Sequence, residues 1–348
     1  MTSGTATVII GDQIATDLVD VSSDPGCLDS AGWWAVVKTF EGDFQAFRFG
    51  NVRLIDKTRL DFGHHHAISE DSWTSSLSSS QYQAAVSNVR ESIADGWVYQ
   101  TNLCLTMSSV LEHEFNPLAL WKLLSENHRA PYLSAFDIPA KESGLGADVK
   151  ITSASPELFL RRRGTRLLTS PIKGTATDAE SLLDKDSTEN VMIVDLMRND
   201  LSRICVPGSV GVPEILRVEE HPGLVHLVSD VQGELRDGIS WPEILSNTTP
   251  AGSVSGAPKS SAIDVIQTLE TVGREIYCGV LGWVNVDDKS AELAVGIRTF
   301  WQGRTNGQEC LKFGTGAGIT WGSDPLGEWE ETQLKAARLM SVAAMSSA

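Results

Sequence analysis

Carboxylates and one amine in the middle of this chain are spaced so that they could act on a single bound molecule. Ser155-Pro156-Glu157-Leu158-Phe159-Leu160 runs into Arg162-Arg163-Gly164, and Arg166-Leu167-Leu168-Thr169 then leads to Pro171-Ile172-Lys173-Gly174-Thr175. The two runs read as a β-hairpin. With its turn centred on Arg163-Gly164, Glu157 falls opposite about Ser170, which brings its carboxylate near the start of the Lys173 loop. Such a pair can pass a proton to a ligand, or it can be an ordinary cross-strand ion pair; the hairpin alone does not choose.

Three further carboxylates sit on two helices. Asp186-Ser187-Thr188-Glu189 reads as the opening of a helix that continues through Met192, Ile193, Leu196 and Met197, with Ser187 or Thr188 as cap and Glu189 in the first turn. A carboxylate there also complements the helix dipole, worth about 0.3 to 1 kcal/mol. Ser323-Asp324-Pro325 marks a second helix, with Asp as cap and Pro at the first helical position. Glu328, Glu331 and Lys335 then share one face. Carboxylates three residues apart repel unless a cation lies between them, and a hard divalent ion suits the place. A solvated face with a Glu331–Lys335 pair, worth about 0.2 to 0.5 kcal/mol, meets the same spacing. Gly314-Thr315-Gly316-Ala317-Gly318-Ile319 would let bare backbone N–H groups approach an anion, but the Lys-Ser/Thr of a phosphate-binding P-loop is absent.

The elements that must position these groups alternate. Residues 1–70 hold short β-rich runs such as Trp33 to Val37 and Phe44 to Phe49, and Ser72 to Ser80 reads as a connection. Tyr82, Ala85, Val86, Val89 and Ile93 fall at helix spacing from Gln81 to Gly96, followed by an apolar strand from Trp97 to Thr106 and a helix around Leu118 to Leu124. Strands follow at Tyr132 to Phe136, Ile151 to Ala154 and Leu158 to Arg161. This predicts a mixed α/β protein. The part before residue 81 is expected to pack with the catalytic region, residues 81–342, as one unit. In His64-His65-His66, neighbours in an extended chain point to opposite sides, so one metal rarely takes all three; a solvated loop is expected.

The chain has 348 residues, 41% hydrophobic and 21% charged, the make-up of an ordinary globular protein. A formal charge of -17 argues against nucleic acid and anionic membranes as partners. Five scattered cysteines show neither CxxC nor zinc spacing, so reduced thiols are expected. No leader-like segment and no apolar run of about 18 residues is seen, and the expected location is the cytoplasm.

Read in order, the motifs resemble the chorismate-utilising family: anthranilate synthase large subunits, aminodeoxychorismate synthase component I, and isochorismate and salicylate synthases. The landmarks are Tyr99-Gln100-Thr101-Asn102-Leu103, Ser155-Pro156-Glu157, Pro171 to Thr175, Glu189 to Leu201 and His226-Leu227-Val228-Ser229. They continue with Pro250 to Lys259, Arg274 to Gly279, Gly296-Ile297-Arg298-Thr299, Gly316-Ala317-Gly318 and Glu328 to Lys335. The resemblance covers about residues 80 to 340. It implies a chorismate-binding enzyme fold, in which large mixed or antiparallel β-sheets form a sandwich with outer helices. It makes Glu189, Glu328 and Glu331 the carboxylates around Mg²⁺. Gln100, Ser253, Tyr277, Arg298, Lys335 and the Gly316, Ala317 and Gly318 backbone become substrate-facing, with His226 beside the ring. A metal and cations focused in one cleft reconcile the acidic chain with an anionic substrate.

Two positions bear on the nucleophile. Relatives that add water generally carry Lys where this chain has Gln100, and Gln cannot serve as that base, whereas ammonia is already a nucleophile. The PIKGT string at Lys173 resembles aminodeoxychorismate synthases, while anthranilate synthases usually have Ala there. The resemblance therefore implies that Lys173 attacks C2 of chorismate, that Glu157 protonates the departing C4 hydroxyl, and that ammonia then enters at C4. Since a free lysine is only about 0.04% neutral at pH 7, Lys173 needs a lowered pKa; three units is roughly 4 kcal/mol. Lys173 is accordingly expected to be substantially buried.

The chain departs from relatives after Gly174, where Thr175-Ala176-Thr177-Asp178 lacks an Arg. It also has no LLES-like string of the kind that forms a tryptophan inhibitor pocket, so tryptophan feedback is not expected. No glutaminase signature is visible, and a separate glutamine amidotransferase subunit is the expected ammonia source. The alternatives are an anthranilate synthase component I and a non-catalytic chorismate-binding regulatory protein, which would have no need of Lys173 or the metal carboxylates.

Overall fold

Side chains alternate across a strand, so consecutive residues serve different cores. Phe300 and Trp301, neighbours in the Thr299–Thr305 strand, do so here. Phe300 packs with Phe313, Leu311, Tyr82 and Trp121, whereas Trp301 joins the cluster of Trp34, Phe47, Ile151 and Trp241. The sheet thus carries one apolar cluster on each face, and truncating either aromatic would cost about 3 to 5 kcal/mol. The computed structural model describes residues 5–56, 61–128, 130–176, 180, 184–221 and 224–346.

Eighteen strands among the described residues are linked by hydrogen-bonded, antiparallel pairings, and helices pack against them. The α/β expectation, with large sheets and outer helices, agrees with this architecture. Strands early in the sequence are built into late ones: Thr7–Ile10 pairs with Tyr132–Ile138, and Trp33–Lys38 pairs with Val280–Asn285. The strand that matters most for the site, Gln100–Val110, lies antiparallel to Gln308–Ile319, with Asn102 opposite Gly318 and Cys104 opposite Gly316.

Several local expectations shift. The Leu158–Arg163 and Arg166–Ser170 strands do form a hairpin, but Arg163 faces Arg166, so the two-residue turn is Gly164-Thr165. Gly164 takes φ +62°, which glycine adopts without strain and which moves the turn one residue on. A bulge between Leu168 and Ser170 takes up the extra residue, and Leu158 rather than Glu157 faces Ser170. The helix expected from Ser187 spans Asp184–Ser202, so Ser187 and Thr188 lie inside it and Glu189 in its second turn. Capping preference is worth less than the burial of Ile193, Val194, Met197 and Leu201, which fixes this helix against the core. The apolar strand begins at Gln100, leaving Trp97 and Tyr99 exposed. His65 is buried, its Nε2 2.9 Å from the Ala343 carbonyl, while His64 and His66 stay exposed; the loop is solvated on one side alone.

Candidate active site

Glu157 follows the Val149–Ser155 strand and is 4% exposed. Burial pushes its carboxyl up to about 7. Opposing this, Ser253 Oγ donates to the carboxylate, the Lys173 charge attracts it, and the Ile172 backbone N–H reaches it. Ser253 holds its place in the short Gly252–Ser255 helix and accepts, through its backbone carbonyl, a 3.1 Å hydrogen bond from Asn102 Nδ2. One carboxyl group is therefore held near neutrality, where it can give or take a proton at physiological pH.

Lys173 lies on the Ile172–Ala176 strand, whose pairing with Leu224–Glu234 is irregular between Ile172 and Thr175. A bulge of this kind re-aims side chains. The residue is mostly buried, as its chemistry requires. Its amine is enclosed: a Cβ added to Gly318 would meet Lys173 Nζ at 2.9 Å. Desolvation lowers its pKa, assisted by the Lys335 charge and opposed by Glu189, Glu157 and Glu331. The enclosure of the amine decides its protonation, so the chemical requirement is met in direction.

The same list of charges shows what converges. Glu189 comes from the Asp184–Ser202 helix, Glu331 and Lys335 from Pro325–Ala343, and all act on the Lys173 amine. Asp324 caps the latter helix by accepting from Gly327 N at 2.8 Å, with Pro325 next, as the sequence predicts. Glu331 and Lys335 pair at 2.6 Å, and Lys335 Nζ also donates to the Gly316 carbonyl at 3.1 Å. Glu328 is 7% exposed. Among the described residues, no three His, Cys, Asp or Glu side chains are gathered tightly enough to hold a metal. The donor chemistry of Glu189, Glu328 and Glu331, all carboxylate oxygen, suits a hard divalent ion, and Glu189 and Glu331 both act on the Lys173 amine.

Of the glycine string, Gly316 and Gly318 border the cleft while the Ala317 side chain enters the core, so Ala317 can contribute only its backbone. His226 is 2% exposed on the Leu224–Glu234 strand, opposite Thr175. Tyr277 is buried against Gly314, and burial raises its hydroxyl pKa well above the usual value. Gln100 is fully buried, and among the described residues neither atom of its amide has a hydrogen-bond partner.

Arg298 marks the cationic end. It adopts φ +52°, is half-buried, and has no acidic partner among the described residues; burial and then the Arg338 charge lower its pKa. His128, 6% exposed and with no hydrogen bond to either ring nitrogen among the described residues, is pushed down to about 4 by burial, Arg298 and Arg338. Sequence reading missed His128 and Arg338, since nothing local announces that distant elements bring them beside Arg298. It also missed the supports. Arg274 and Glu270 form a buried pair at 2.5 Å; Arg274 donates to Val254 O at 2.8 Å and Asn102 O at 3.0 Å, and Glu270 accepts from Cys104 N at 2.9 Å. Asn190, next to Glu189, donates to Leu227 O and accepts from Ser229 Oγ, tying the helix of Glu189 to the strand of His226. The REIYCG and HLVS motifs were the available signals.

A profile described as chorismate binding enzyme matches residues 55–341. Anthranilate synthase component 1 of Saccharolobus solfataricus is 35% identical over 272 residues, covering 75% of this chain and 61% of that protein. Aminodeoxychorismate synthase component 1 of Bacillus subtilis is 34% identical over 267 residues, 73% of this chain and 54% of that protein. The chain therefore spans little more than half the length of these curated relatives. Anthranilate synthase component I of Streptococcus pneumoniae superposes with a TM-score of 0.74 at 22% identity, over 98% of this chain and 93% of that one. The menaquinone-specific isochorismate synthase of Escherichia coli gives 0.77 at 17%, over 98% and 89%. Identities this low speak to the fold. No helix among the described residues is long and apolar enough to cross a membrane.

Proposed function

Since the chain belongs to the chorismate-binding enzyme family, we propose that it replaces the C4 hydroxyl of chorismate with an amino group, giving 4-amino-4-deoxychorismate on the way to 4-aminobenzoate. The observation that carries this reading is the enclosed Lys173 amine, lowered in pKa, beside a Glu157 carboxyl held near 7.

In its neutral form, the Lys173 amine forms a bond to C2 of the ring. The two ring double bonds shift, the C4–O bond breaks, and Glu157 supplies the proton with which the hydroxyl leaves as water. Ammonia then bonds to C4, the double bonds shift back, and the C2–N bond breaks to release Lys173. The extra proton on the new C4 amine passes to the Glu157 carboxylate, restoring both groups. Proton transfer of this kind typically contributes about 10² to 10⁴ in rate. Glu189, Glu328 and Glu331 would hold Mg²⁺, which when bound supplies positive charge for the substrate's ring carboxylate. Arg298 and Lys335 receive the remaining anionic groups, and His226 stands by the ring. Ammonia comes from a separate glutamine amidotransferase subunit.

The protein incubated with chorismate, Mg²⁺ and excess ammonium should yield 4-amino-4-deoxychorismate; consumption of chorismate without that product rejects the proposal. The second reading, anthranilate synthase component I, is favoured by the 35% identity to a relative of that name, against 34% to the aminodeoxychorismate synthase. It predicts pyruvate release and fluorescent anthranilate without an added lyase.

A further inference from the structure

Away from the residues assigned to the reaction, a cavity of about 740 Å³ opens at the edge of the core cluster of Trp34, Phe47 and Trp241. That is within the range of roughly 300 to 1,000 Å³ common for small-molecule sites. None of Glu157, Lys173, Glu189, Glu328 and Glu331 lines it. Its apolar walls are Val37, Phe44, Ile151, Leu245 and Trp301, all members of that cluster, with Ile151 and Trp301 register partners on adjacent strands. Walls of this kind favour an occupant with an apolar body, which leaves water on entering.

The charges around the cavity are unbalanced. Lys150 spends its amine on Glu114 at 2.6 Å and on the Phe115 carbonyl at 3.0 Å. Glu275 is taken by Lys312 Nζ at 2.6 Å and Trp301 Nε1 at 2.7 Å. That leaves Lys38 with Asp43 and Asp148. Lys38 donates to the Gly42 carbonyl at 2.8 Å, and burial lowers its pKa. Asp148 accepts from Ala140 N at 2.8 Å, and neither aspartate is ion-paired with a described residue. Two carboxylates against one amine, in a chain of formal charge -17, attract a cation and repel an anion.

We propose that this cavity is a binding site for small amphiphilic amines, with an aromatic or branched aliphatic body against Ile151, Leu245 and Trp301 and a protonated amino group facing Asp43 and Asp148 at the rim. The site goes beyond the reaction assigned to the cleft and does not depend on it. An anionic substrate is a poor occupant, so the two places select opposite charges.

The test is isothermal titration calorimetry of the full chain with three probes that share one ring: 2-phenylethylamine, 2-phenylethanol and phenylacetate. The amine should bind saturably at one site, the alcohol more weakly, and the acid weakest. Ser246 is exposed and borders the cavity, so Ser246→Trp should fill the space and weaken amine binding at least tenfold. Asp43→Asn and Asp148→Asn, also at exposed positions, should each weaken the amine about two- to fivefold, the range of a solvent-screened charge pair, and leave the alcohol unchanged. Absence of saturable amine binding, equal or tighter binding of the alcohol or the acid, or undiminished binding to Ser246→Trp overturns the proposal.

Discussion

Two buried polar arrangements share the Gln100–Val110 strand and are opposites. Arg274 and Glu270 satisfy each other and clamp the backbone at Asn102, Cys104 and Val254. Gln100 and Asn102, on the same strand, have amide atoms that no described residue meets with a hydrogen bond. A buried charge pair with full hydrogen bonding is a frame; a buried amide without one is free to turn towards a ligand or water. The same division runs through the rest of the cleft. Asp200 and Lys259 pair at 2.6 Å and tie the helix of Glu189 to the Lys259–Leu269 helix, while Arg298 has no acidic partner among the described residues and none of them hydrogen-bonds the His128 ring.

Breaking the frame and breaking the site should therefore give different phenotypes. The largest effect on activity is expected from the site. Glu157→Gln should lower kcat by about 10² to 10⁴. It should also stabilise the fold, and the sign follows from the pKa. A buried carboxyl raised from its ordinary value to about 7 favours the folded state most below pH 4.5, and that contribution is lost as pH rises through 7. The amide removes the loss, so the variant should exceed wild type by about 3 kcal/mol at pH 8 and by little near pH 4.5, as denaturant titrations at the two pH values would show. A variant less stable than wild type at pH 8 would contradict the burial argument.

The frame should respond the other way. Arg274→Met leaves the Glu270 charge buried and unpaired, and should cost about 3 to 5 kcal/mol of stability, read as an earlier unfolding transition. Activity would fall as the folded fraction falls. Retained stability with lost turnover would place Arg274 in the chemistry instead.

Arg298→Gln should raise the KM for chorismate roughly 10- to 100-fold, the range for one charge-assisted hydrogen bond, with the fold little changed because no internal acid depends on it. The smallest effect is Ser253→Ala. Ser253 holds the Glu157 pKa down, so its loss should move the alkaline limb of the rate profile to higher pH. A shift to lower pH would mean that Ser253 acts on something else.

How much of this could be read from the sequence depends on how local each signal is. Glu157 and Lys173 flank one hairpin, and their approach was visible even though the turn sits one residue later and a bulge corrects the register. The Asp324 cap and the Glu331–Lys335 pair follow from spacing within one helix. Glu189 was identified by its motif, but its helix begins earlier, and with Glu189 in the second turn the dipole explanation for it weakens. Asn102 stayed hidden because its side chain meets the Ser253 carbonyl, on an element 151 residues further along the chain. The cationic end stayed hidden for the same reason, since His128, Arg298 and Arg338 come from three distant elements.

The central claim is that Lys173 is the nucleophile, and intact-mass measurement of the protein with chorismate and Mg²⁺ but no ammonium tests it most directly. Wild type should gain the mass of chorismate less one water, and Lys173→Ala should gain nothing. An equal gain in the alanine variant, or amination by wild type in which no adduct is ever found, would contradict the account.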